Sequence, residues 1–383
     1  MAAGTRARLS AVLLGSALVI TSIGGVSAAR AQSQPGYGPQ QLARAYNFGP
    51  LWQRGLKGRG QTIAFMEVDG VDEADLASFN STFGLPPTRL DVLVPQGSNA
   101  QLAPGPETTM DLEYAHALAP EARLVVYEVI KVGDFVDYAG HLADAVGAAV
   151  QAGASVISIS LRGTGSILCS TYWAARKLHK VFQAAAAKGI TVFAASGDYG
   201  DRPCQSRHTV GTVYPAADPY VTAVGGTSLS LTASDTYAGE TAWSGSGGGN
   251  NHDFSRPSWQ TGPGSLDPKY RGIPDVSWVA DPQTGALVYL QGRWLTEGGT
   301  SLGAPCWAAL WALANQSHLA SAHKPIGWAN PLLYSLANSA ARTHVYHDVL
   351  SGDNGYWQAG PGWDAVTGWG SPNASALVAA LTP

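Results

Sequence analysis

The chain of 383 residues is poor in charge, with Asp, Glu, Lys and Arg making up only 13% of it, about half the roughly 25% usual for a soluble domain. Its 23 basic and 27 acidic side chains give a formal net charge of −4 at pH 7, so no basic surface for nucleic acid or anionic lipid is expected. Because 45% of the residues are hydrophobic, intrinsic disorder is excluded as well. The shortage of charge is a first indication of a protein that works in acid, where carboxylates are neutral.

Long apolar runs are also scarce, and after residue 31 none is long enough to span a bilayer. The run Leu9–Ile23 follows Arg6 and Arg8 and precedes small-residue triplets at 26–28 and 29–31, which is the layout of a secretory signal peptide. A helix of that length reaches about 22 Å against roughly 30 Å of hydrocarbon, which disfavours a membrane anchor. We therefore expect residues 1–31 to be a signal peptide and residues 32–383 a single secreted domain without stable membrane insertion.

Cysteine is nearly absent, since the chain has only 3, and none shows the CxxC or Cys/His spacing of a zinc site. At most one intramolecular disulfide can form. Cys169 with Cys204 is the favoured pair, because both lie in loop-like sequence at the ends of predicted elements. Cys306 would then stay free, and its place in the apolar run 305–314 predicts a small buried side chain rather than a nucleophile.

Short apolar runs alternate with stretches of helical pattern, two of them rich in alanine. The predicted strands are Thr62–Glu67, Leu124–Ile130, Ser155–Leu161, Thr191–Ser196 and Tyr220–Gly226. The predicted helices among them are Asp72–Phe83, Asp137–Ala152 and Thr171–Ala187. This alternation predicts an α/β fold with a doubly wound, mostly parallel sheet and helices on both faces. Ligands bind beyond the carboxyl ends of such strands, so functional residues are expected there.

Two acids of one predicted helix, Glu107 and Asp111, break a local rule. Pro106 suits the first turn of that helix, and the two acids then stand one turn apart on the same face. Surface helices usually pair opposite charges at this spacing, because like charges repel, so the violation indicates a site. Two solvated acids near a helix N-terminus, where negative charge is tolerated, are the alternative.

A serine and a third acid occupy comparable positions. Ser301 lies where a glycine-rich segment leads into an apolar helix, so it is either a helix cap or a nucleophile presented to a substrate carbonyl. Asp198 follows a predicted strand between glycines, where an acid often only closes a turn. Each residue has an ordinary structural explanation, and the combination carries more weight than any member.

In order and spacing these segments resemble the sedolisin family, the serine-carboxyl peptidases, which look like subtilisins rebuilt for acid. The resemblance runs from about residue 37 to residue 383. It rests on Glu-x-x-x-Asp at 107–111, Ser-Gly-Asp at 196–198 and Gly-Thr-Ser-x-x-x-Pro at 299–305, with further matches at 214–221, 224–227 and 246–249.

The resemblance implies a subtilisin-like single domain that hydrolyses peptide bonds through an acyl-enzyme on Ser301. Glu107 would be the general base, Asp111 the acid that orients and polarises it, and Asp198 the oxyanion donor. Glu67, at the end of the first predicted strand, would extend the hydrogen-bond chain of the acid pair.

The chemistry of these groups requires low pH. The unperturbed pKa of Glu is about 4.3, against roughly 6.5 for His, so a glutamate base matches an acidic medium. An aspartate donates to an oxyanion only while protonated, and we expect burial and neighbouring acids to raise the pKa of Asp198 and hold that proton. A subtilisin triad would instead need a histidine at a glycine-rich helix start, whereas the 9 histidines lie in ordinary contexts and His116 is typical of a packed helix residue.

The resemblance also implies one structural calcium ion near the C-terminus. The segments 347–349 and 360–364 are similar to the family's calcium loop, in which carboxylates and backbone carbonyls supply the oxygens. An Asp- and Gly-rich turn without a metal is the alternative. The expected ligands are the carboxylates of Asp348 and Asp364 and the carbonyls of Val349, Gly360 and Gly362.

Protein or peptide substrates are expected to pair with an edge strand near residues 158–163. Many relatives have Ser-Trp-Gly there, but Leu161 and Arg162 stand in this chain, so subsite preferences do not transfer. Neither an endopeptidase nor a tripeptidyl-peptidase is favoured, and we expect a monomer. The substrate-binding residues that the family pattern implies are Ser160, Leu161, Gly163, Ser246, Gly247 and Gly248.

Sedolisins usually carry a long N-terminal pro-domain, and this sequence leaves no room for one between residue 31 and Tyr37. We therefore keep a second hypothesis, a secreted, catalytically silent sedolisin-like binding protein, although a decayed enzyme tends to lose a catalytic residue and all four are present. A periplasmic receptor for small ligands would explain the signal peptide and the fold, but neither the acid pair nor the serine.

Overall fold

The computed structural model describes residues 35–94, 102–129, 135–160, 176–203 and 211–382. The strands are β1 Thr62–Glu67, β2 Arg89–Leu93, β3 Arg123–Glu128, β4 Val156–Ile159, β5 Thr191–Ala195, β6 Val221–Leu231, β7 Tyr237–Ala242, β8 Gly249–Ser255, β9 Tyr270–Ile273, β10 Val276–Val279, β11 Ala286–Leu290, β12 Arg293–Glu297, β13 Tyr346–His347 and β14 Ser371–Pro372. The helices are α1 Pro39–Ala45, α2 Gly49–Gln53, α3 Glu73–Phe83, α4 Pro106–Leu118, α5 Phe135–Gln151, α6 Arg176–Ala187, α7 Thr300–Ala322, α8 Ala329–Ala337, α9 Arg342–Val345 and α10 Ala374–Leu381.

A sheet of eight strands forms the centre of the fold. Seven of them run parallel in the order β10-β6-β5-β4-β1-β3-β2, and β7 pairs antiparallel with β6. β1 lies between β3 and β4, so successive connections leave it in opposite directions. In doubly wound sheets ligands bind at such a reversal, outside the carboxyl ends of the strands. Glu67 ends β1 and Ser160 directly follows β4, which puts both at this edge.

Side chains of the parallel strands alternate between two apolar cores. Ile63 and Phe65 of β1 lie in the core that α4 and α7 cover, whereas Ala64 and Met66 lie in the core that α5 and α6 cover. Burial on both faces explains why these strands appear in the sequence as nearly continuous apolar runs. The predicted doubly wound α/β sheet with helices on both faces is confirmed.

Helix α7 is buried on every side over residues 300–315, as expected of a helix that is apolar all round. The indole N–H of Trp307 donates to the carbonyl of Ser277 in the sheet, at 2.9 Å. Gly303 permits close approach to β6, because a Cβ there would lie 2.6 Å from Cγ1 of Val224. The first turn of α7 is therefore fixed against the sheet.

The five predicted strands are all found, and Thr62–Glu67 is confirmed at both ends. β6 continues five residues beyond its predicted end at Gly226. Helix α3, predicted to begin at Asp72, begins at Glu73. Asp72 is its N-cap, and its side chain accepts hydrogen bonds from the amides of the second and third residues after it. The predicted helix 171–187 is helical from Arg176, and residues 171–175 lie outside the described part.

The hairpin β11–β12 was not predicted. Its strands pair from Ala286 with Glu297 to Leu290 with Arg293. The two turn residues, Gln291 and Gly292, both have positive φ, 50° and 72°, as in a type I′ turn. Asn-Gly is the usual signal for this turn, and Gln-Gly was not recognised. In the described ranges, no helix combines the length and apolar character needed to cross a membrane.

Candidate active site

The acid pair lies in the first two turns of α4. Gly105 is the N-cap and Pro106 the first helical residue, so the proline ends the preceding loop without costing a helix hydrogen bond. Glu107 is only 2% exposed and Asp111 is fully buried. The alternative of two solvated acids is therefore wrong, because both carboxylates lie inside the protein.

Glu67 joins this pair from the end of β1, as predicted. The Thr108 hydroxyl lies 3.1 Å from Oε2 of Glu67 and 2.9 Å from the Asp69 carbonyl. Glu67 is also within hydrogen-bond reach of Asp111. Two ionised carboxylates cannot bond to each other, and of the described residues only the Ser160 hydroxyl stands near Asp111 as a donor. The contact between these two acids therefore requires a proton.

Burial and like charge keep a proton in this cluster. Burial is the main cause that raises the pKa of Glu67 well above its usual range, and the charge of Glu107 adds to it. The pKa of Asp111 is raised in the same way, first by burial and then by Glu67 and Glu107. These are the conditions under which neighbouring acids share protons rather than ionise together.

Ser301 is the second residue of α7 and is 5% exposed. The N-cap of this helix is Gly299, and Ser301 lies inside the first turn, so the helix-cap explanation of Ser301 is wrong. Ser160 donates its hydroxyl to the Ser301 carbonyl at 3.1 Å and also lies close enough to Asp111 to affect its charge. Ser160 thus connects the first turn of α7 with the buried acids.

Asp198 belongs to the loop after β5, and its carboxylate contacts the start of α7. Its Oδ1 accepts the Thr300 amide at 2.7 Å and the Thr300 hydroxyl at 3.0 Å, a contact that spans 102 residues of chain and does more than close a local turn. The expected burial of Asp198 is wrong, because the residue is exposed. Burial therefore does not hold a proton on it.

Thr300 is the residue at this corner to which the sequence interpretation gave no role. Its hydroxyl accepts the amide of Gly197 at 2.9 Å while it contacts Asp198. Gly299 has φ 101°, and a Cβ there would lie 2.8 Å from Oδ2 of Asp198. The Gly-Thr pair before Ser301 therefore has a geometric task, which is to hold the Asp198 loop against the helix.

The predicted substrate residues have different surroundings. Ser246 is fully buried, and its hydroxyl accepts the Gly226 amide at 2.8 Å and donates to the Val366 carbonyl at 2.7 Å. The amide of Gly247 donates to the Gly197 carbonyl at 2.7 Å, so this segment supports the Asp198 loop from behind. A Cβ on Gly248 would lie 2.0 Å from the Ala365 carbonyl. Leu161, Gly163, Cys169 and Cys204 lie outside the described residues.

His116 and Cys306 both have the surroundings of packed core residues. His116 is fully buried, with Nε2 2.8 Å from the Pro86 carbonyl, and burial lowers its pKa. This confirms the packed helix residue that the sequence predicts. Cys306 is free and buried, as predicted, and burial raises the pKa of its thiol well above the usual value.

The predicted calcium ligands meet in one loop region. Asp348 accepts the Gly362 amide at 2.9 Å, and Asp364 accepts the Gly360 amide at 3.3 Å. Burial raises the pKa of both carboxyls, that of Asp364 to about 6, and a cation would offset this cost. The carbonyls of Val349, Gly360 and Gly362 accept no hydrogen bond from the described part of the chain. This all-oxygen donor set fits calcium, although no group of three or more His, Cys, Asp or Glu side chains that could hold a metal occurs among those residues.

Fold and site together define a subtilisin-like α/β protein whose serine is accompanied by carboxylates instead of a histidine. Residues 97–370 match the Subtilase family. The chain belongs to this family, and within it to the sedolisins, which confirms the resemblance drawn from the motifs.

The relatives support this membership over different lengths. Kumamolisin of Bacillus sp. (strain MN-32) is 37% identical over 93% of this chain and 66% of its own length. Sedolisin of Pseudomonas sp. (strain 101) is 38% identical over 52% of this chain and 36% of its own. Tripeptidyl-peptidase 1 of Dictyostelium discoideum is 30% identical over 84% of this chain and 54% of its own. The chain thus spans between about one third and just under two thirds of the length of these curated relatives.

A solved structure agrees in fold. Pseudomonas sedolisin, a serine-carboxyl proteinase complexed with two molecules of pseudo-iodotyrostatin, matches with a TM-score of 0.75 at 29% identity. The match covers 90% of this chain and 97% of that structure.

Proposed function

We propose that this chain is a secreted serine-carboxyl peptidase that hydrolyses protein or peptide substrates in acid. Ser301 is the nucleophile, Glu107 the general base, Asp111 the acid that orients it, and Asp198 the oxyanion donor. The observation that carries the proposal is the buried acid cluster, which Ser160 connects to the first turn of the serine helix. The names of the relatives, kumamolisin, sedolisin and tripeptidyl-peptidase 1, support the same chemistry.

In the acylation step, the Ser301 hydroxyl oxygen attacks the scissile carbonyl carbon and its proton passes to Glu107. The tetrahedral intermediate places its oxyanion against the protonated Asp198 carboxyl. Collapse breaks the C–N bond, and Glu107 returns the proton to the leaving amine. Water then repeats the sequence on the acyl-enzyme and frees Ser301.

The position of Asp198 limits this chemistry to acid. Oδ1 is engaged by the Thr300 amide and hydroxyl, so the proton that is donated sits on Oδ2. Both bonds from the N-terminus of α7 favour an ionised carboxylate, and the exposed side chain gains no help from burial. The proton must therefore come from an acidic medium, and activity falls towards neutrality.

We also propose the organisation expected from the sequence. Residues 1–31 are a signal peptide, residues 32–383 form the peptidase domain, and the mature protein is a monomer. One calcium ion, held by Asp348, Asp364 and the three free carbonyls of the loop, stabilises the C-terminal region and takes no part in acyl transfer. Ser160, Leu161, Gly163, Ser246, Gly247 and Gly248 border or support the substrate site.

The test is cleavage of denatured protein at pH 3 to 5 by the purified mature chain and its Ser301→Ala variant. The wild type should cleave, and the variant should lose at least about 10³-fold in kcat. Ser321→Ala is the matched control, because Ser321 is exposed on the same helix, and it should retain full activity. Equal slow cleavage by wild type and Ser301→Ala would instead support the catalytically silent binding protein.

A further inference from the structure

Two buried acids outside the site described above hold the hairpin β11–β12. Glu113 of α4 is fully buried, and both of its carboxyl oxygens lie 3.2 Å from the Tyr289 amide. Asp75 of α3 is 6% exposed and accepts the amides of both turn residues, Gln291 and Gly292. Side chains of two helices therefore fix the two-residue turn and the strand before it.

This hairpin connects the two halves of the site. Tyr114, the neighbour of Glu113, donates its hydroxyl to the Leu287 carbonyl at 2.9 Å. Helix α4, which carries Glu107, is thus bound to β11 at two places, through Glu113 and through Tyr114. β12 ends at Glu297, four residues before Ser301. The hairpin therefore connects the acid pair with Ser301: side-chain contacts join β11 to α4, and a short piece of chain joins β12 to Ser301.

Glu113 has poor compensation for a negative charge. Among the described residues a single amide, that of Tyr289, donates to it, whereas a desolvated carboxylate needs several donors or a cation. Burial raises its pKa well above the usual range, and Asp75 adds to the effect.

Tyr114, which is neutral, is the other titratable group that faces Glu113, and the remaining groups on the packed elements face elsewhere. Cys306 of α7 faces Tyr114 and Asp111, and Glu67 of β1 faces Asp111. The further groups on these elements and on α4 itself include Arg44, bound to Asp235, the exposed Glu73 and Arg293, and His116, bound to Pro86. Glu297 ends β12, and His318 of α7 contacts the Lys324 carbonyl. Within the described ranges, Asp75 is the charged side chain that faces Glu113.

We propose that Glu113 is an acid-dependent positioning residue: protonated, it holds the β11–β12 hairpin against the helix of the acid pair, and ionised beside Asp75 it releases the hairpin. A neutral carboxyl still accepts the Tyr289 amide through its carbonyl oxygen and does not repel Asp75. The effect of this contact on catalysis rests on the proposed peptidase function. The movement of the hairpin does not.

Amide hydrogen exchange of the full chain at pH 4 and pH 7, corrected for intrinsic rates, tests the movement. Residues 287–292 of the wild type should lose at least tenfold in protection at pH 7. Glu113→Gln is neutral at both pH values and should keep its protection. Glu73→Gln, an exposed acid on α3, is the matched control and should behave as wild type. Unchanged wild-type protection between the two pH values overturns the proposal whatever the variants do.

Kinetics at pH 4 test the positioning role. Glu113→Ala removes the contact to Tyr289 and should lower kcat about tenfold with KM unchanged, whereas Glu113→Gln should restore kcat. A variant Glu113→Ala with unchanged kcat, or a loss that Glu113→Gln does not rescue, contradicts the role. If Ser301→Ala shows that the chain is no peptidase, the exchange experiment still decides whether Glu113 controls the hairpin.

Discussion

At the residue scale, the contacts between Asp198 and Thr300 bear on the proposed oxyanion donor and on its pH dependence. Thr300 donates twice to one carboxylate oxygen of Asp198 and accepts from the Gly197 amide. The carboxyl therefore has a fixed orientation but a variable charge. Orientation comes from the fold, and the proton comes from the solvent. An asparagine at position 198 would keep the orientation of the side chain without needing a proton from the solvent.

Asp198→Asn should broaden the pH profile towards neutrality. The Asn carbonyl oxygen accepts the two Thr300 donors, and its NH2 group replaces Oδ2 as a donor at every pH. Loss of the stronger acidic donor should lower kcat/KM at pH 4 by about 10- to 100-fold. At pH 7 the variant should be the more active of the two in steady-state assays, because its NH2 group donates without a titrating proton.

Asp253→Asn is the control for this substitution, because it makes the same chemical change at an exposed position. Its profile should coincide with that of the wild type. If the Asp198→Asn profile falls at the same pH as the wild-type profile, Asp198 is not the group that sets the alkaline limit.

At the scale of elements, the sequence predicted the segments whose pattern is local and regular. β1 was predicted at both ends because an unbroken apolar run of four residues lies between Thr62 and Glu67. The acid pair was predicted because its spacing breaks a helix rule. The hairpin β11–β12 was missed, since its turn uses Gln291 at positive φ and its register depends on Glu113 and Asp75, which are distant in sequence.

The role of Thr300 was missed for a related reason. A threonine before a serine carries no periodicity, and its importance comes from a loop 102 residues earlier in the chain. The expected burial of Asp198 failed because exposure depends on how that loop packs, which no local pattern records. The sequence motifs thus identified the candidate catalytic residues, whereas only tertiary contacts show what orients them.

The C-terminal loop makes a prediction of its own. Without a cation, the buried Asp364 carboxylate is desolvated, and the three carbonyls lack donors in the described chain. A bound ion stabilises the folded state by about 2.7 kcal/mol at 100 times its Kd. Chelation of calcium should therefore lower Tm by several degrees, roughly 2–4 °C per kcal/mol, before it affects the intrinsic chemistry. Differential scanning calorimetry of the chelated protein, and of the same protein with calcium or magnesium added, measures the change in Tm.

Asp364→Asn should abolish the response to chelator, because it removes one carboxylate of the loop. Asp353→Asn changes an exposed acid in the same region and should leave the response intact. A melting curve that chelation does not move would count against the calcium site.

The whole molecule combines few surface charges with several buried acids. Outside the C-terminal loop, burial raises the pKa of five carboxyls, namely Glu67, Asp111, Glu113, Glu128 and Glu240. For each of them the folded state binds its proton more tightly than the unfolded chain does. The stability they contribute is therefore complete below the unfolded pKa of about 4 and is lost as pH rises through the raised values.

The free energy of unfolding should consequently decrease from pH 4.5 to pH 7.5. His116 and His347 oppose this trend, since burial lowers the pKa of both, that of His347 to about 4. Their contribution grows as pH rises towards 6.5, but the five acids outweigh them. General repulsion cannot be the cause, because the formal charge at pH 7 is only −4. Urea unfolding at both pH values, followed by tryptophan fluorescence with calcium held constant, measures the difference. A chain equally stable or more stable at pH 7.5 would show that its buried carboxyls are compensated when ionised, and the acid adaptation would then be confined to Asp198.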